Sequence, residues 1–381
     1  MNRICFISHK SSLGGAETSL LSSVIALRKE GFKCYVILPS LGPLEERLRR
    51  ENIEYKVVFF KHWVTAKPSF LKKQARKLAN RFAVPFIAYY LKDWHIDVVI
   101  TNTLTPVSGA LAAKKRNIPH IWHIREFGEE DHNYTFDRGL EQATTDMEEL
   151  SDLIICNSKA VAEKYRSHIT PQKIKVLYNT VPIDNNYCSI SSDSLFRNSS
   201  SFKCIMIGSV SKRKNQMEAI RSLNKLNKEK SVRIELLLVG PYNPDYKKKL
   251  DYFIQDQDLE NYVSFTGELR NPYPILKRSD VLLMCSKMEA FGKVSVEAMK
   301  CGIPVIGANT GGTTELIKHK HTGLLYELGN VNNLAEMIFY LIENPDHSLQ
   351  LARNAYENSI NRFTIEEYGD KYHKMINEVL Q

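Results

Sequence analysis

Short apolar runs alternate along the whole chain with longer stretches in which apolar residues recur at helical spacing. The runs predict strands at residues 3–8, 34–38, 97–101, 152–156, 203–208, 234–239, 262–265, 280–285 and 304–306. The stretches between them predict helices at residues 16–30, 106–116, 159–168, 216–228 and 334–343. Because apolar strands that alternate with helices form βαβ units, we expect an α/β protein with parallel sheets.

A polar interval at residues 185–201, NNYCSISSDSLFRNSSS, interrupts this alternation near the middle of the chain. Its Ser and Asn residues favour an exposed linker, and a new strand pattern begins at Lys203. We therefore predict a first α/β domain at residues 1–184, a linker at 185–202, a second α/β domain at 203–361 and a terminal helix at 362–381. Two such domains leave a cleft between the carboxyl ends of their strands, where open sheets bind ligands.

Composition narrows the class of protein. The 381 residues are 43% hydrophobic and 25% charged, which is ordinary for two or three globular domains. No apolar run reaches the roughly 18–20 residues of a spanning helix, and the first residues lead into a strand rather than a signal peptide. The seven cysteines are an odd number without a CxxC pair, which favours reduced thiols in a cytoplasmic protein over disulfides or structural zinc.

Positive charge is concentrated in the first quarter of the chain. The formal charge is +9, but residues 1–92 hold 17 Lys and Arg against six Asp and Glu. Residues 61–92, from Lys61 to Lys92, contain eight Lys and Arg, no acid, and interleaved aromatic residues. This pattern favours an anionic membrane surface. An amphipathic helix with a basic outer face remains an alternative. Nucleic acid is less favoured because no nucleic-acid module accompanies the charge.

Two carboxylates follow the predicted strand at 280–285. Glu289 and Glu297 are eight residues apart in SKMEAFGKVSVEAM, with Gly292 at the expected helix start. Unpaired N–H groups at a helix start favour a diphosphate, and glycine lets the backbone approach it closely. Carboxylates at either end of the segment accept hydrogen bonds from sugar hydroxyls. Considered alone, the two residues are also compatible with the surface of an ordinary helix.

The residues that follow complete a longer pattern. Glu297-Ala-Met is followed by Gly302, then Pro304-Val305, Gly311-Gly312, Glu315 and Gly323. This series resembles the E-x7-E, E-A-M-x-x-G-x-P-V, G-G-x-x-E and G-x-L hallmarks of the retaining nucleotide-sugar glycosyltransferases of family four, also called glycosyl transferases group 1. The match is nearly continuous in the C-terminal half and looser in the N-terminal half.

The resemblance implies a GT-B fold, in which two Rossmann-like doubly wound domains face each other across a cleft and the final helix packs back on the first domain. It implies that Glu289 contacts hydroxyls of the transferred sugar and that Glu297 binds the ribose. The backbone that would meet the sugar and diphosphate comprises Ala290, Phe291, Gly292 and Lys293.

A second phosphate element is expected after the strand at 203–208. The family pattern G-R-x-x-x-x-K-G aligns Lys214 with its lysine, but Ser209 replaces its arginine and Asn215 its second glycine. Arg213 is our candidate substitute for the missing arginine. Fixed cations there would stabilise the charge of a departing diphosphate. A solvated basic turn is the alternative.

The N-terminal half contributes weaker candidates. Gly14 and Gly15 open the first predicted helix, but the segment is not G-x-G-x-x-G, so a nicotinamide site is poorly supported. Residues 120–126 end a further predicted strand. The resemblance places the two glycines near the donor phosphates, and it places His123 at the cleft, in contact with the donor sugar. Arg125 and Glu126 either line the acceptor side or pair with one another.

We therefore expect a retaining glycosyltransferase that moves a sugar from a nucleotide diphosphate, UDP- or GDP-linked, to the hydroxyl of a glycan or lipid-linked acceptor in cell-surface polysaccharide or glycolipid synthesis. The expected location is cytoplasmic, on the inner face of a membrane. No cofactor is expected. No metal is expected either, because the DQD segment at 256–258 ends a polar helical stretch. The alternatives are a non-hydrolysing nucleotide-sugar epimerase of the same fold and a non-catalytic nucleotide- or lipid-binding partner.

Overall fold

A computed structural model describes residues 1–66, 69–183, 201–230 and 232–381. The predicted linker lies outside the described residues up to residue 200, as does Cys188. The chain divides into two compact units. The first comprises Met1–Thr180 together with Phe363–Gln381, and the second comprises Val181–Arg362.

The described residues form fifteen strands and fifteen α-helices. The strands are β1 Arg3–Ile7, β2 Lys33–Leu38, β3 Glu54–Val57, β4 Val64–Thr65, β5 Val98–Asn102, β6 His120–Ile124, β7 Thr135–Phe136, β8 Leu153–Cys156, β9 Ile174–Val176, β10 Phe202–Ile207, β11 Ile234–Val239, β12 Val263–Gly267, β13 Val281–Met284, β14 Val305–Ala308 and β15 Leu324–Tyr326. The helices are α1 Gly15–Lys29, α2 Pro43–Arg50, α3 Phe70–Asp93, α4 Ser108–Arg116, α5 Glu129–His132, α6 Leu140–Leu150, α7 Lys159–Arg166, α8 Gln216–Glu229, α9 Pro244–Asp256, α10 Tyr273–Leu276, α11 Lys293–Lys300, α12 Thr313–Leu316, α13 Val331–Glu343, α14 Pro345–Arg362 and α15 Ile365–Leu380.

The first unit is built on a seven-stranded parallel sheet in the order β3-β2-β1-β5-β6-β8-β9. Alternate residues of β1 enter two different cores. Ile4 and Phe6 pack in one core with α1 and α15, whereas Cys5 and Ile7 pack in the other with α3. Both faces of the sheet are therefore covered, which explains why its central strands are apolar at every position rather than at alternate positions.

The second unit repeats this plan with a six-stranded parallel sheet in the order β12-β11-β10-β13-β14-β15. One of its cores contains residues of α8 and α13 against β10, β11 and β13. The strand order reverses beside β10, whose two neighbours are β11 and β13. The loops that leave the carboxyl ends of β10 and β13 consequently emerge side by side at a topological switch point, where sheets of this kind bind ligands.

Candidate functional site

Two loops of the second unit bring the predicted phosphate and sugar residues together. The loop after β10 carries Arg213 and Lys214, and the loop after β13 carries Glu289. The backbone N–H of Lys287 donates to the carbonyl of Arg213 at 2.9 Å, which ties the two loops. Nζ of Lys214 donates to Oε2 of Glu289 at 2.6 Å. The predicted site residues of these loops are therefore in direct contact, although 75 positions separate them in the sequence.

The ion pair fixes the charge state of Glu289. The Lys214 and Glu289 side chains are only 14% and 15% exposed, so neither charge is fully solvated. Burial opposes ionisation, but the charge and hydrogen bond of Lys214, supported by Arg213, hold the pKa of Glu289 below its ordinary value. Glu289 is thus a carboxylate at neutral pH. A lysine ammonium has three N–H donors, so Lys214 keeps donors for a second anion while it holds Glu289.

The structure gives a physical reason for the glycine at position 312, the second of the Gly-Gly segment. Its N–H donates to the carbonyl of Glu289 at 2.7 Å. A Cβ atom built at this position would lie 2.5 Å from the carbonyl oxygen of Ala290, closer than real Cβ atoms come. Only glycine lets this backbone lie against residues 289–290. The Gly-Gly segment therefore supports the turn that carries Glu289, a role that sequence spacing alone did not reveal.

Helix α11 follows this turn and carries the second carboxylate. Gly292 precedes its first residue with φ of 91°, a left-handed conformation that favours glycine. Glu297 lies within the helix, and burial raises its pKa above the ordinary value, against the opposing effects of Lys293 and a hydrogen bond from Tyr273. The two carboxylates therefore differ: Glu289 is paired with a cation and held ionised, whereas burial favours the protonated form of Glu297.

The candidates of the first unit lie at strand and helix ends. Gly14 and Gly15 lie where α1 begins, and the N–H of Gly14 donates to Oε2 of Glu17 at 2.9 Å. The Glu17 carboxylate therefore occupies part of the helix start that the resemblance assigns to a donor phosphate. The contact of Gly14 and Gly15 with the donor stays a prediction.

His123 lies at the carboxyl end of β6, inside the first unit. Its side chain is 0% exposed, and Nδ1 lies 3.0 Å from the hydroxyl of Tyr372 in α15. Among the described residues its Nε2 has no hydrogen-bond partner. Burial, with the charge of Arg125, holds the pKa of His123 well below its ordinary value. The contact of His123 with the donor sugar stays a prediction.

Arg125 and Glu126 do not form an ion pair within the described ranges. The Arg125 guanidinium donates to Oδ1 of Asn102 at 2.6 Å and to the hydroxyl of Ser23 at 3.0 Å. Oε1 of Glu126 accepts from the N–H of Leu104 at 2.9 Å, and burial raises the pKa of Glu126 to about 8. Both side chains are thus held by neutral polar groups of the first unit.

Three observations concern metals and membranes. Asp256 and Asp258, the acids of the DQD segment, are exposed at the end of α9. In the part of the chain that the structure describes, no cluster of three or more His, Cys, Asp or Glu side chains is arranged to hold a metal ion. Among the same residues, no helix has the length and apolarity needed to cross a bilayer.

Two family models match the chain. The model described as "Glycosyl transferases group 1" matches residues 190–358, and that described as "Glycosyltransferase Family 4" matches residues 13–185. The chain belongs to this glycosyltransferase family. The Lys214–Glu289 pair lies in the first matched range, and Gly14, Gly15 and His123 lie in the second. The resemblance drawn from the Glu289–Glu297 pattern is confirmed.

Individual relatives agree with the family. N-acetyl-alpha-D-glucosaminyl L-malate synthase of Bacillus anthracis is 29% identical, and the match spans 61% of this chain but also only 61% of that relative. Alpha-1,3/1,6-mannosyltransferase ALG2 of Mus musculus is 24% identical over 99% of this chain and 96% of its own length. These glycosyltransferases are named for different sugars.

A solved structure shares the fold over the whole chain. Anabaena Alr3699/HepE, crystallised in complex with UDP, is similar with a TM-score of 0.81 and 24% sequence identity, over 99% of this chain and 100% of that one. The predicted GT-B fold class is confirmed, with one Rossmann-like parallel sheet in each unit.

Proposed function

We propose that this glycosyltransferase moves a sugar from a nucleotide diphosphate-sugar to an acceptor hydroxyl with retention at the anomeric carbon, in the synthesis of a cell-surface polysaccharide or glycolipid. The Lys214–Glu289 pair at the switch point of the second sheet carries the proposal. It places a cation suited to the diphosphate beside a carboxylate suited to the sugar hydroxyls, with Nζ of Lys214 2.6 Å from Oε2 of Glu289. The UDP bound to Anabaena Alr3699/HepE supports a UDP-linked donor.

The proposed chemistry needs charge stabilisation more than acid–base groups. As the bond between the anomeric carbon and the diphosphate oxygen breaks, negative charge grows on the leaving diphosphate. Lys214 and Arg213 stabilise that charge. Glu289 accepts hydrogen bonds from sugar hydroxyls and so orients the ring. The acceptor oxygen bonds to the anomeric carbon on the face that the diphosphate leaves, and its proton passes to a phosphate oxygen of that diphosphate.

The test uses Lys214→Ala and Glu289→Gln with a panel of UDP-, GDP- and ADP-sugars. We expect each variant to reduce transfer roughly 100- to 1000-fold, because each removes a contact to the developing charge or to the sugar. Lys225→Ala and Glu229→Gln are matched controls, since these residues form an exposed pair on α8. Unchanged transfer in the site variants would overturn the assignment. If the protein forms a sugar epimer without an acceptor, it is an epimerase. If it binds nucleotide but turns over no donor, it is a non-catalytic binding partner.

We also propose that α3 docks the enzyme on an anionic membrane as a peripheral protein. Leu71, Leu78, Phe82, Phe86 and Tyr89 recur every three, four or seven residues, and each is more than half exposed. The spacing places them along one face of the helix. The exposed Lys72, Lys77, Arg81 and Lys92 flank this stripe, and α3 carries no acid before Asp93. Apolar side chains bordered by cations suit the interface of an anionic bilayer.

Co-sedimentation with vesicles tests the docking. Phe82→Ser/Phe86→Ser should weaken binding to phosphatidylserine-containing vesicles about tenfold or more, because two buried aromatic contacts are lost. Raising salt should weaken the wild type further, and phosphatidylcholine vesicles should bind poorly. Tyr252→Ser, at a 73% exposed aromatic residue of the second unit, is the control. Equal binding by the α3 variant and this control would contradict the proposal.

A further inference from the structure

A cavity in the first unit lies at the carboxyl ends of β1, β2 and β3. Its volume is about 620 Å³, and its lining includes His9 and Lys10 after β1, Ser40 after β2, and Phe59 and Lys61 after β3. Three adjacent parallel strands thus direct their following loops into one hollow. This is the edge at which open parallel sheets bind ligands, as it is in the second unit.

The cavity is cationic. Lys10, Lys61 and Arg76 line it, and none of the described residues that line it is Asp or Glu. Arg76 forms an ion pair with Asp137, which fixes its position. The Lys10 and Lys61 side chains are exposed, and Nζ of Lys61 lies 4.8 Å from the centre of the Phe59 ring. The two lysines therefore stand where they can meet an anion.

His9 supplies a buried polar atom without a partner. It is 8% exposed, and its Nε2 lies 3.3 Å from Oε1 of Glu17. Among the described residues, His9 Nδ1 has no hydrogen-bond partner. Burial, with the nearby His62 and Lys10, holds the pKa of His9 well below its ordinary value, so the ring is neutral. The carboxylate beside Nε2 favours the proton on that nitrogen, which leaves Nδ1 as an acceptor.

We propose that this cavity binds the acceptor substrate at two points, with Lys10 and Lys61 on a phosphate or diphosphate group and His9 Nδ1 on a hydroxyl. The inference rests on the proposed transfer reaction and names the class of its acceptor: a phosphorylated alcohol, free or lipid-linked. An unpartnered buried acceptor atom is satisfied by a hydroxyl donor. The lysine ammoniums form charge-assisted hydrogen bonds with phosphate oxygens.

A smaller cavity of about 280 Å³ begins beside the first and shares Arg76 with it. Phe70 and Lys73, in the first turn of α3, line this second cavity. Arg76 is thus a wall common to the two cavities, and the second one extends along the start of α3. We assign the second cavity to the chain of a lipid-linked acceptor, whereas a free phosphorylated alcohol needs only the first.

Calorimetric titrations on full-length enzyme saturated with UDP test the anionic point, because UDP occupies the donor site. The probes are farnesyl diphosphate and glycerol phosphate. We expect the double variant Lys10→Ala/Lys61→Ala to lose affinity roughly tenfold or more for each probe that the wild type binds. The control Lys114→Ala/Lys115→Ala, at exposed lysines of α4, should bind the probes like the wild type. Preference of the wild type for farnesyl diphosphate assigns a lipid-linked source, and preference for glycerol phosphate assigns a free one. Binding of neither probe, or unchanged binding in the double variant, overturns the proposal.

Propyl phosphate tests the hydroxyl point, since it has the charge of glycerol phosphate without its hydroxyls. We expect the wild type to prefer glycerol phosphate about three- to tenfold, the value of one hydrogen bond. His9→Phe should lose that preference, and His9→Asn, which keeps an acceptor atom, should retain part of it. Equal preference in wild type and His9→Phe, with both folded, refutes the role of His9. Lys214→Ala should keep all of this binding while it loses transfer, so the two proposals fail separately.

Discussion

The two units build the same kind of sheet but differ in the charge state of the side chains at its carboxyl edge. In each sheet the first strand of the unit lies centrally, the next two strands follow on one side, and the later strands follow on the other. At this edge the second unit holds an ionised pair, Lys214 and Glu289. In the first unit, burial favours the uncharged forms of three groups. It holds the pKa of His9 and His123 well below the ordinary value and raises that of Glu126 to about 8.

The difference supports the proposed roles of the two units. Ionised side chains suit a diphosphate and its leaving-group charge, and the unit that carries the donor motifs has them at its switch point. Neutral hydrogen-bonding groups suit hydroxyl recognition, and the first unit combines them with the buried Arg125 and with exposed cations such as Lys10 and Lys61. All three tryptophans, Trp63, Trp94 and Trp122, lie in the first unit. Tryptophan fluorescence therefore reports on that unit alone, and circular dichroism reports on both.

The largest effect is expected from Gly312→Ala in the second unit. The added methyl group would lie 2.5 Å from the Ala290 carbonyl oxygen, so the turn that carries Glu289 must shift. We expect a loss of about 3 kcal/mol in the free energy of unfolding of this unit. The loss should appear in urea titrations followed by circular dichroism and not in those followed by fluorescence.

Gly15→Ala in the first unit is the matched control. No atom lies within 4 Å of a Cβ atom built there, and its φ is not in the left-handed region. Replacement at this helix position should be neutral or slightly stabilising. If the two glycine substitutions changed the free energy of unfolding equally, the structural role assigned to Gly312 would be wrong.

A second prediction concerns pH. The pKa of Glu126 is raised to about 8 in the folded state, so the folded protein keeps a proton there that the unfolded chain loses from about pH 4.5 upward. The stability that this proton gives is lost as the pH rises toward 8. Glu126→Gln cannot titrate, so it should not lose stability as the wild type does. The free energy of unfolding of the variant minus that of the wild type should therefore rise by roughly 2 kcal/mol between pH 5.5 and 8. Fluorescence-monitored unfolding measures the change.

Glu289→Gln should behave differently over the same range. The pKa of Glu289 is lowered, so its stabilising charge is present above about pH 4.5 and is lost only below it. The difference between Glu289→Gln and wild type should stay flat from pH 5.5 to 8. Glu129→Gln, at an exposed acid of the first unit, is the control for the fluorescence measurements of Glu126→Gln. If the stability difference from wild type had the same pH slope for Glu126→Gln and Glu289→Gln, the two units would not differ in the charge state of these carboxyl groups.

The smallest effect is expected from Tyr372→Phe in α15. This change removes the hydroxyl 3.0 Å from Nδ1 of His123 and leaves a fully buried imidazole with one partner fewer. The cost should be about 1–2 kcal/mol, detected by fluorescence. Tyr356→Phe, at a 42% exposed tyrosine of the second unit, should leave that signal unchanged. An unaltered midpoint in Tyr372→Phe would show that the contact contributes nothing.

Much of the fold follows from the sequence because buried parallel strands are apolar throughout. The strands absent from our prediction include β3, β9 and β15, which lie at the edges of the sheets and have only three or four residues. In β3 none of the four side chains is fully buried, so no apolar run marks it.

The site was partly predictable for a related reason. The motif residues around Glu289 and Lys214 occupy local segments whose spacing is visible in the sequence. Contacts between distant segments leave no such trace. Tyr372 covers His123 from 249 positions away, and Gly312 supports a turn whose partner atoms belong to Glu289 and Ala290. His9 was not a candidate, because a single histidine after a strand carries no local signal of an unpartnered nitrogen.

The position of α15 has a consequence for biosynthesis. The first unit begins at Met1, yet its last helix is encoded after the whole of the second unit. Tyr368, Tyr372 and Ile376 fill the core that also contains Ile4 and Leu20. While the ribosome is still translating the second unit, the first therefore has an open apolar face where α15 will pack. A premature stop anywhere in the second unit leaves both units incomplete.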